Sequence, residues 1–224
     1  MVSGSHQSSS QTLSDGAFER IQTAIVKGDI APGTRLSEQY LSDTFGIGRG
    51  PLREAIRRLE GRRLVVRIPH AGVRVASLSV AELIELYYVR EALEGMACRL
   101  AAQHMTEEEI AGLRQVLARH EQHAGLHANE SYYQQEGELD LHYLIIQGSR
   151  NHMLHELLCS DLYHLVRMYR YRFSTTPERP QQAFSEHHRI IEAIADRDGE
   201  LAELLMRRHI SASRRNIEQH LEKP

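Results

Sequence analysis

Two sets of side chains in this 224-residue sequence are spaced as if for chemistry. The first is a run of arginines. Between Arg49 and Arg74 lie eight of them (49, 53, 57, 58, 62, 63, 67 and 74) against only Glu54 and Glu60. That block carries +6 in a chain whose formal net charge is −3, so the remainder sums to −9. A concentrated cationic stretch on an acidic chain points to one anion-facing module joined to something else. Arg49 and Arg53 are about one helical turn apart, and a guanidinium can donate to both O6 and N7 of guanine, so these two are the candidates for reading bases. Arg57 and Arg58 lie a further turn along and suit backbone phosphates. Arg67 and Arg74 flank the turn Pro69-His70-Ala71-Gly72, whose tip residues could enter a minor groove.

The second set mixes imidazole and carboxylate. The chain holds 14 histidines. Glu138 and His142 are i and i+4, which puts both on one face if the segment is helical. His187 and His209 each lie about ten residues from a turn expected near 196–199. In an antiparallel helical hairpin they are therefore level, each about 15 Å from the turn. Four ligands from three helices could converge on a divalent ion, zinc first, with nickel or manganese as alternatives. His188 would point about 100° away from His187, and Asp140 falls on the face opposite Glu138, so both are set aside. Spacing alone leaves open the plainer reading, in which these histidines are solvated or hydrogen-bonded.

The elements that must position these groups fall into two parts. Residues 1–13 are Ser-rich and aperiodic, and are read as a disordered arm. Over 14–77, a helix with Phe18, Ile21, Ile25 and Val26 on one face closes at Gly28. A short helix capped by Ser37 follows, and then a third with Pro51 in its first turn and Leu52, Ala55, Ile56 and Leu59 as its apolar stripe. Leu64–Ile68 and Gly72–Val75 read as a hairpin. Helix, helix, tight turn, helix, hairpin is a winged helix-turn-helix. Over 78–224 only helical periodicity appears, with starts at Ser79, Thr106 (a capping box with Glu109), Asn151 and Asp198. The fold class is mostly α: an N-terminal winged helix-turn-helix followed by an all-α antiparallel helical bundle.

Composition narrows the setting. With 41% hydrophobic and 25% charged residues the chain is of ordinary globular type. No apolar stretch approaches the roughly 18 residues of a membrane span. Cys98 and Cys159 lie outside any paired motif, which fits a reducing cytoplasm.

The stretch GIGRGPLREAIRRLEGRRLVVRIPHAGVRV resembles the DNA-reading segment of the GntR family of bacterial regulators. The resemblance implies a dimer that reads a two-fold DNA operator, with Gln39, Arg49, Gly50, Arg53, Arg57, Arg58, His70 and Gly72 at the DNA face. Gly48 and Gln39 depart from the hydroxyl and arginine found there in many members. The bundle is similar to the FCD-type ligand-binding domain of the FadR subfamily, through Glu138-Leu-Asp-Leu-His142, Glu186-His187-His188-Arg189-Ile190 and Met206-Arg207-Arg208-His209. That resemblance implies metal binding by Glu138, His142, His187 and His209, with Glu138 where an Asp is usual. It also implies a small organic acid as effector, with Arg90 facing it. The segments RLEG…RIPH and QQEG…RMYR are similar to repressors of propionate and methylcitrate operons. The function expected is a metabolite-responsive, non-enzymatic repressor. Its rivals are a metal-dependent hydrolase or lyase and a DNA binder with a purely structural bundle.

Overall fold

The computed structural model describes residues 12–126, 140–173 and 179–221. The chain divides into two compact units, residues 1–76 and 77–224.

In the first unit, α1 (Leu13–Lys27) opens on a reciprocal capping box between Thr12 and Asp15 and closes on Gly28, whose left-handed φ of 83° favours glycine. Ser37 caps α2 (Glu38–Phe45) by accepting from the Tyr40 amide. Helix α3 (Arg49–Gly61) starts at Gly48 without a side-chain cap, and Pro51 occupies its first turn, where a missing N–H costs nothing. Phe18, Ile21 and Ile25 of α1 are buried, as are Leu41 of α2 and Leu52, Ile56 and Leu59 of α3. These apolar stripes hold the three helices together.

The expected hairpin forms as β2 (Val65–Ile68) and β3 (Gly72–Val75), with Val65 opposite Val75 and Ile68 opposite Gly72. A two-residue strand that the sequence pattern did not predict, β1 (Arg35–Leu36), adds to the free edge of β3, giving an antiparallel sheet in the order β1-β3-β2. Two residues are too few to display a period-2 pattern. At the hairpin tip His70 has a positive φ of 61° and Gly72 one of 84°, so the turn is held in a left-handed conformation that glycine tolerates at position 72.

In the second unit, α4 (Val80–His104) begins with a capping box between Ser79 and Glu82. It is followed by α5 (Glu107–Leu126), α6 (Leu141–Gly148), α7 (His152–His155), α8 (Tyr163–Arg172), α9 (Arg179–Ala195) and α10 (Gly199–Leu221). Helix α4 packs most extensively on α10 and also touches α6 and α9. The α9–α10 turn is pinned to the end of α4: Arg197 donates to the carbonyls of Ala102 (3.2 Å) and Met105 (2.6 Å). A Cβ on Gly199 would meet the Arg99 carbonyl at 3.0 Å, so α10 starts as close to α4 as glycine allows. Asp198 caps α10 through the Leu201 amide, as the sequence suggested.

The run beginning at Asn151 is not one helix. Asn151 does cap α7, but residues Glu156–Asp161 form a π-helical segment before α8 resumes. The wider turn preserves the apolar spacing of Leu154, Leu158 and Val166 well enough to hide the interruption in the sequence.

Candidate nucleic-acid interface and metal centre

Arg49, Arg53 and Arg57 recur every four residues along α3 and are all exposed, while Leu52, Ala55, Ile56 and Leu59 face the core. The three therefore form one outward stripe. They are not equivalent. Arg53 is held by a bidentate ion pair to Glu38 of α2 (Nε–Oε1 2.7 Å, Nη2–Oε2 3.2 Å). Arg57 has only a 3.5 Å contact with Glu54. Gln39, exposed on α2, donates to Asp43 at 2.8 Å. A Cβ added to Gly50 would meet nothing within 4 Å. The protein's own packing therefore does not require glycine at position 50.

Arg58 departs from the phosphate-facing role expected of it. Its guanidinium lies 2.6 Å from Asp15 and stacks over the Phe18 ring at 4.0 Å, with Arg62 over the same ring at 4.7 Å. Arg58 thus joins α3 to α1. Arg74 similarly turns inward, donating to the Gly33 carbonyl at 3.0 Å. His70 and Gly72 stay exposed at the hairpin tip.

In the helical unit, His142 (α6), His187 (α9) and His209 (α10) meet. They are 5%, 3% and 5% exposed, and one ligand atom from each lies within 4.8 Å of the others. The Nε2 atoms of His187 and His209 face each other at 3.3 Å. The remaining nitrogens explain the orientation. His142 Nδ1 meets the Glu94 carboxylate at 2.6 Å, and His209 Nδ1 meets Glu186 at 2.6 Å. A carboxylate behind Nδ1 fixes the tautomer and leaves the Nε2 lone pair for the centre, the arrangement seen behind metal-bound imidazoles. Each carboxylate is itself held, Glu94 by Arg90 at 2.7 Å and Glu186 by Arg179 at 2.9 Å.

Protonation follows from burial. Loss of water, aided by the neighbouring imidazoles, pushes His187 well below its usual range, and the same burial brings His209 down to about 4 despite Glu186. Burial alone would raise Glu94, but Arg90 and His142 overcome it and hold the carboxylate ionised. Two neutral imidazoles thus face inward at neutral pH, which is the ligating form. His187 Nδ1 is buried without a hydrogen-bond partner. If His187 instead offers its Nε2 proton to His209, that Nδ1 is left as an unsatisfied buried acceptor. In the other tautomer the Nδ1 proton is equally without a partner and the Nε2 lone pairs of His187 and His209 face each other at 3.3 Å, an opposition that a divalent cation between them would relieve, so the donor set fits a metal.

Of the four ligands expected, three converge and Glu138 lies outside the described residues. The helix that carries His142 begins only at Leu141, with Asp140 in extended backbone as its N-cap. The expected shared face of Glu138 and His142 rests on a segment outside the described residues. Asp140, set aside on the same argument, is fully buried beside the cluster; it accepts from the His142 amide at 3.0 Å and pairs with Arg170 at 2.6 Å. His188 points away, as expected, toward Glu121 at 2.8 Å. Arg90 is buried on α4, stacked on Tyr87 and bound to Glu94, and its Nη1 has no partner. Sequence reasoning missed Glu94 as the anchor of His142. The visible signal was an Arg90–Glu94 pair at i, i+4 within an otherwise apolar buried face.

Residues 13–75 match the family described as bacterial regulatory proteins, gntR family, and residues 85–212 match the FCD domain. The chain is 30% identical to the HTH-type transcriptional repressor GlaR of Escherichia coli K12, over 89% of this chain and 92% of that one. It is 29% identical to the uncharacterized HTH-type transcriptional regulator YdhC of Bacillus subtilis, over 92% and 91%. The HTH-type transcriptional repressor RspR of E. coli K12 is also 29% identical, over 93% and 92%. Among solved structures, E. coli McbR/YncC superposes with a TM-score of 0.71 at 19% identity, covering 94% of this chain and 99% of its own. A putative GntR regulator from Rhodococcus sp. RHA1 gives 0.68 at 20%, covering 92% and 97%. These two likenesses bear on the fold.

Proposed function

The chain belongs to the GntR family of bacterial regulatory proteins and carries an FCD domain, and from that premise we propose a repressor whose operator affinity is set by a small carboxylate bound beside a divalent metal. That it is a transcriptional regulator and not an enzyme follows from the family itself. Glu186, the general base that the hydrolase reading would call on, is committed to His209 and Arg179.

In this reading residues 14–77 bind DNA. Arg49 and Arg53 read base edges, Arg57 neutralises a phosphate, and Gln39, Gly50, His70 and Gly72 lie against the duplex. The open space at Gly50 suits close approach of the sugar-phosphate backbone. Residues 78–224 bind the effector and pair two copies of the chain. Val89 and Met96 of α4 and Leu204 of α10 remain exposed, and they suit a second copy. No helix among the described residues is long and apolar enough to cross a membrane, and the proposed setting is the cytoplasm.

The observation that carries the proposal is the convergence of three buried imidazoles, two of them anchored from behind by carboxylates. His142, His187 and His209 would hold the ion, zinc first by donor type, with nickel or manganese as alternatives. The ion would supply Lewis-acid attraction for a carboxylate. Arg90 holds Glu94 and keeps Nη1 for a second acidic group, so di- and tricarboxylates, methylcitrate among them, fit best. Such a ligand alters DNA affinity only through its differential binding to two arrangements of the dimer.

Calorimetric titration of zinc into metal-free protein, followed by a panel of di- and tricarboxylates, tests this. One zinc per chain is expected, with carboxylate binding that requires the metal and is weakened by Arg90→Lys. Absence of zinc binding, or carboxylate binding indifferent to zinc, would overturn it.

A further inference from the structure

Helix α8 carries, on adjacent residues, one contact to the histidine cluster and one to the start of the second unit. Arg170 grips Asp140 at 2.6 Å, and Asp140 caps the helix of His142 through that residue's own amide at 3.0 Å. Its neighbour Tyr169 is 2% exposed and sends its hydroxyl 91 residues back along the chain. There the Oη accepts from the Leu78 amide at 2.6 Å and lies 3.4 Å from the Leu78 carbonyl, to which it can donate.

Leu78 immediately precedes Ser79, the N-cap of α4, and follows Ser77, where the second unit begins. Its amide and carbonyl lie outside any helix or strand, so the phenol ties down the one residue between Ser77 and the capping box at Ser79. We propose that Tyr169 is the positioning residue through which the metal pocket acts on residues 77–79, the covalent connection to the DNA-reading unit. The inference rests on the reading of the cluster as a regulatory metal site.

The route is short and polar: His142 amide, Asp140 carboxylate, Arg170 guanidinium, then one peptide step to Tyr169 and its hydroxyl clasp on Leu78. A metal that draws His142 toward His187 and His209 shifts the N-terminus of α6, and Asp140 and Arg170 pass that shift to α8. A buried helix moves as a body because its neighbours are close-packed. A phenol bonded to both polar groups of one peptide residue then moves that backbone or releases it. Apolar side chains at position 169 could fill the same space but could not hold the Leu78 amide.

The test uses the full chain, zinc as probe, and two readouts: amide hydrogen exchange over residues 76–80 and affinity for a duplex from the protein's own upstream region. In wild type, zinc is expected to change exchange over residues 76–80 and to shift DNA affinity by about five- to tenfold or more. Tyr169→Phe keeps the ring, touches no proposed ligand, and should bind zinc with unchanged affinity while losing both responses. If Tyr169→Phe retains the shift, or if zinc binds wild type without changing exchange over residues 76–80, the inference is overturned while the metal site stands. If wild type binds no zinc, the site itself fails, and the binding isotherm reports that separately. Should Tyr169→Phe fold poorly, the exchange measurement on wild type alone decides.

Discussion

The two units hold their candidate residues in opposite ways. In the winged unit Arg49, Arg53 and Arg57 lie four residues apart on one helix and are exposed. In the helical unit the histidines are up to 67 residues apart (His142 to His209), buried, and held neutral where burial acts on them. An exposed cation needs only a helix to present it, and its affinity comes from the partner's charge. A buried base needs three helices and a second tier of carboxylates, because every unsatisfied nitrogen is costly away from water. A surface that reads DNA can thus be written locally, whereas a ligand-sensing centre must be assembled.

The sharpest way to break this contrast is to remove one assembled piece. His209→Ala is expected to weaken zinc binding by at least about a hundredfold, read by competition with a chelating dye, since removing a ligand should exceed the usual cost of an outer-tier change. Glu94→Gln keeps the shape but loosens His142, and should cost about ten- to a hundredfold in the same assay. Equal zinc affinity in both variants and wild type would mean that the cluster is ordinary core.

Acid offers a second route into the buried centre. The unfolded chain titrates its histidines near 6.5, whereas burial holds folded His209 down to about 4 and keeps His187 well below its usual range. Between those values the unfolded state binds more protons, so stability is full above 6.5 and is lost as the pH falls toward 4. Denaturant melts of metal-free protein should show a loss of a few kcal/mol over that window. A flat profile would contradict neutral burial.

The winged unit should respond to different agents. Arg49→Ala is expected to cost about 1–3 kcal/mol of discrimination at one base position in a competition series. Arg57→Ala should weaken all duplexes alike and reduce the salt slope by about one. Raising salt should hardly touch zinc affinity. The smallest effect belongs to Arg58→Ala, which should lower the melting temperature by a few degrees without altering base preference, because Arg58 is spent on Asp15 and Phe18. A uniform loss of DNA affinity with unchanged melting would return Arg58 to the phosphate-facing set.

Much of this was legible in the sequence where geometry is local or periodic. The helix caps at Ser37, Ser79 and Asn151, the hairpin and the turn after α9 are all where residue type and spacing put them. The level pairing of His187 with His209 followed from counting residues on either side of one turn, and their Nε2 atoms are indeed 3.3 Å apart. What stayed hidden depends on packing between distant segments. Glu94 lies 48 residues before His142, and Glu38 15 residues before Arg53, with no period linking either pair. Asp140 was misplaced because a helical register was extended through a residue that instead caps the helix. Local rules place elements, and tertiary packing decides which polar groups they bring together.

The central claim is that the assembled centre governs the exposed one. Fluorescence anisotropy on the protein's own upstream duplex and on a scrambled duplex tests it most directly, with metal-free and zinc-loaded protein, each with and without the carboxylate panel. The account predicts tight binding to the upstream duplex alone, abolished by one acid, and only when zinc is present. Binding that ignores zinc and every acid, or that is equal and salt-sensitive on both duplexes, would contradict it.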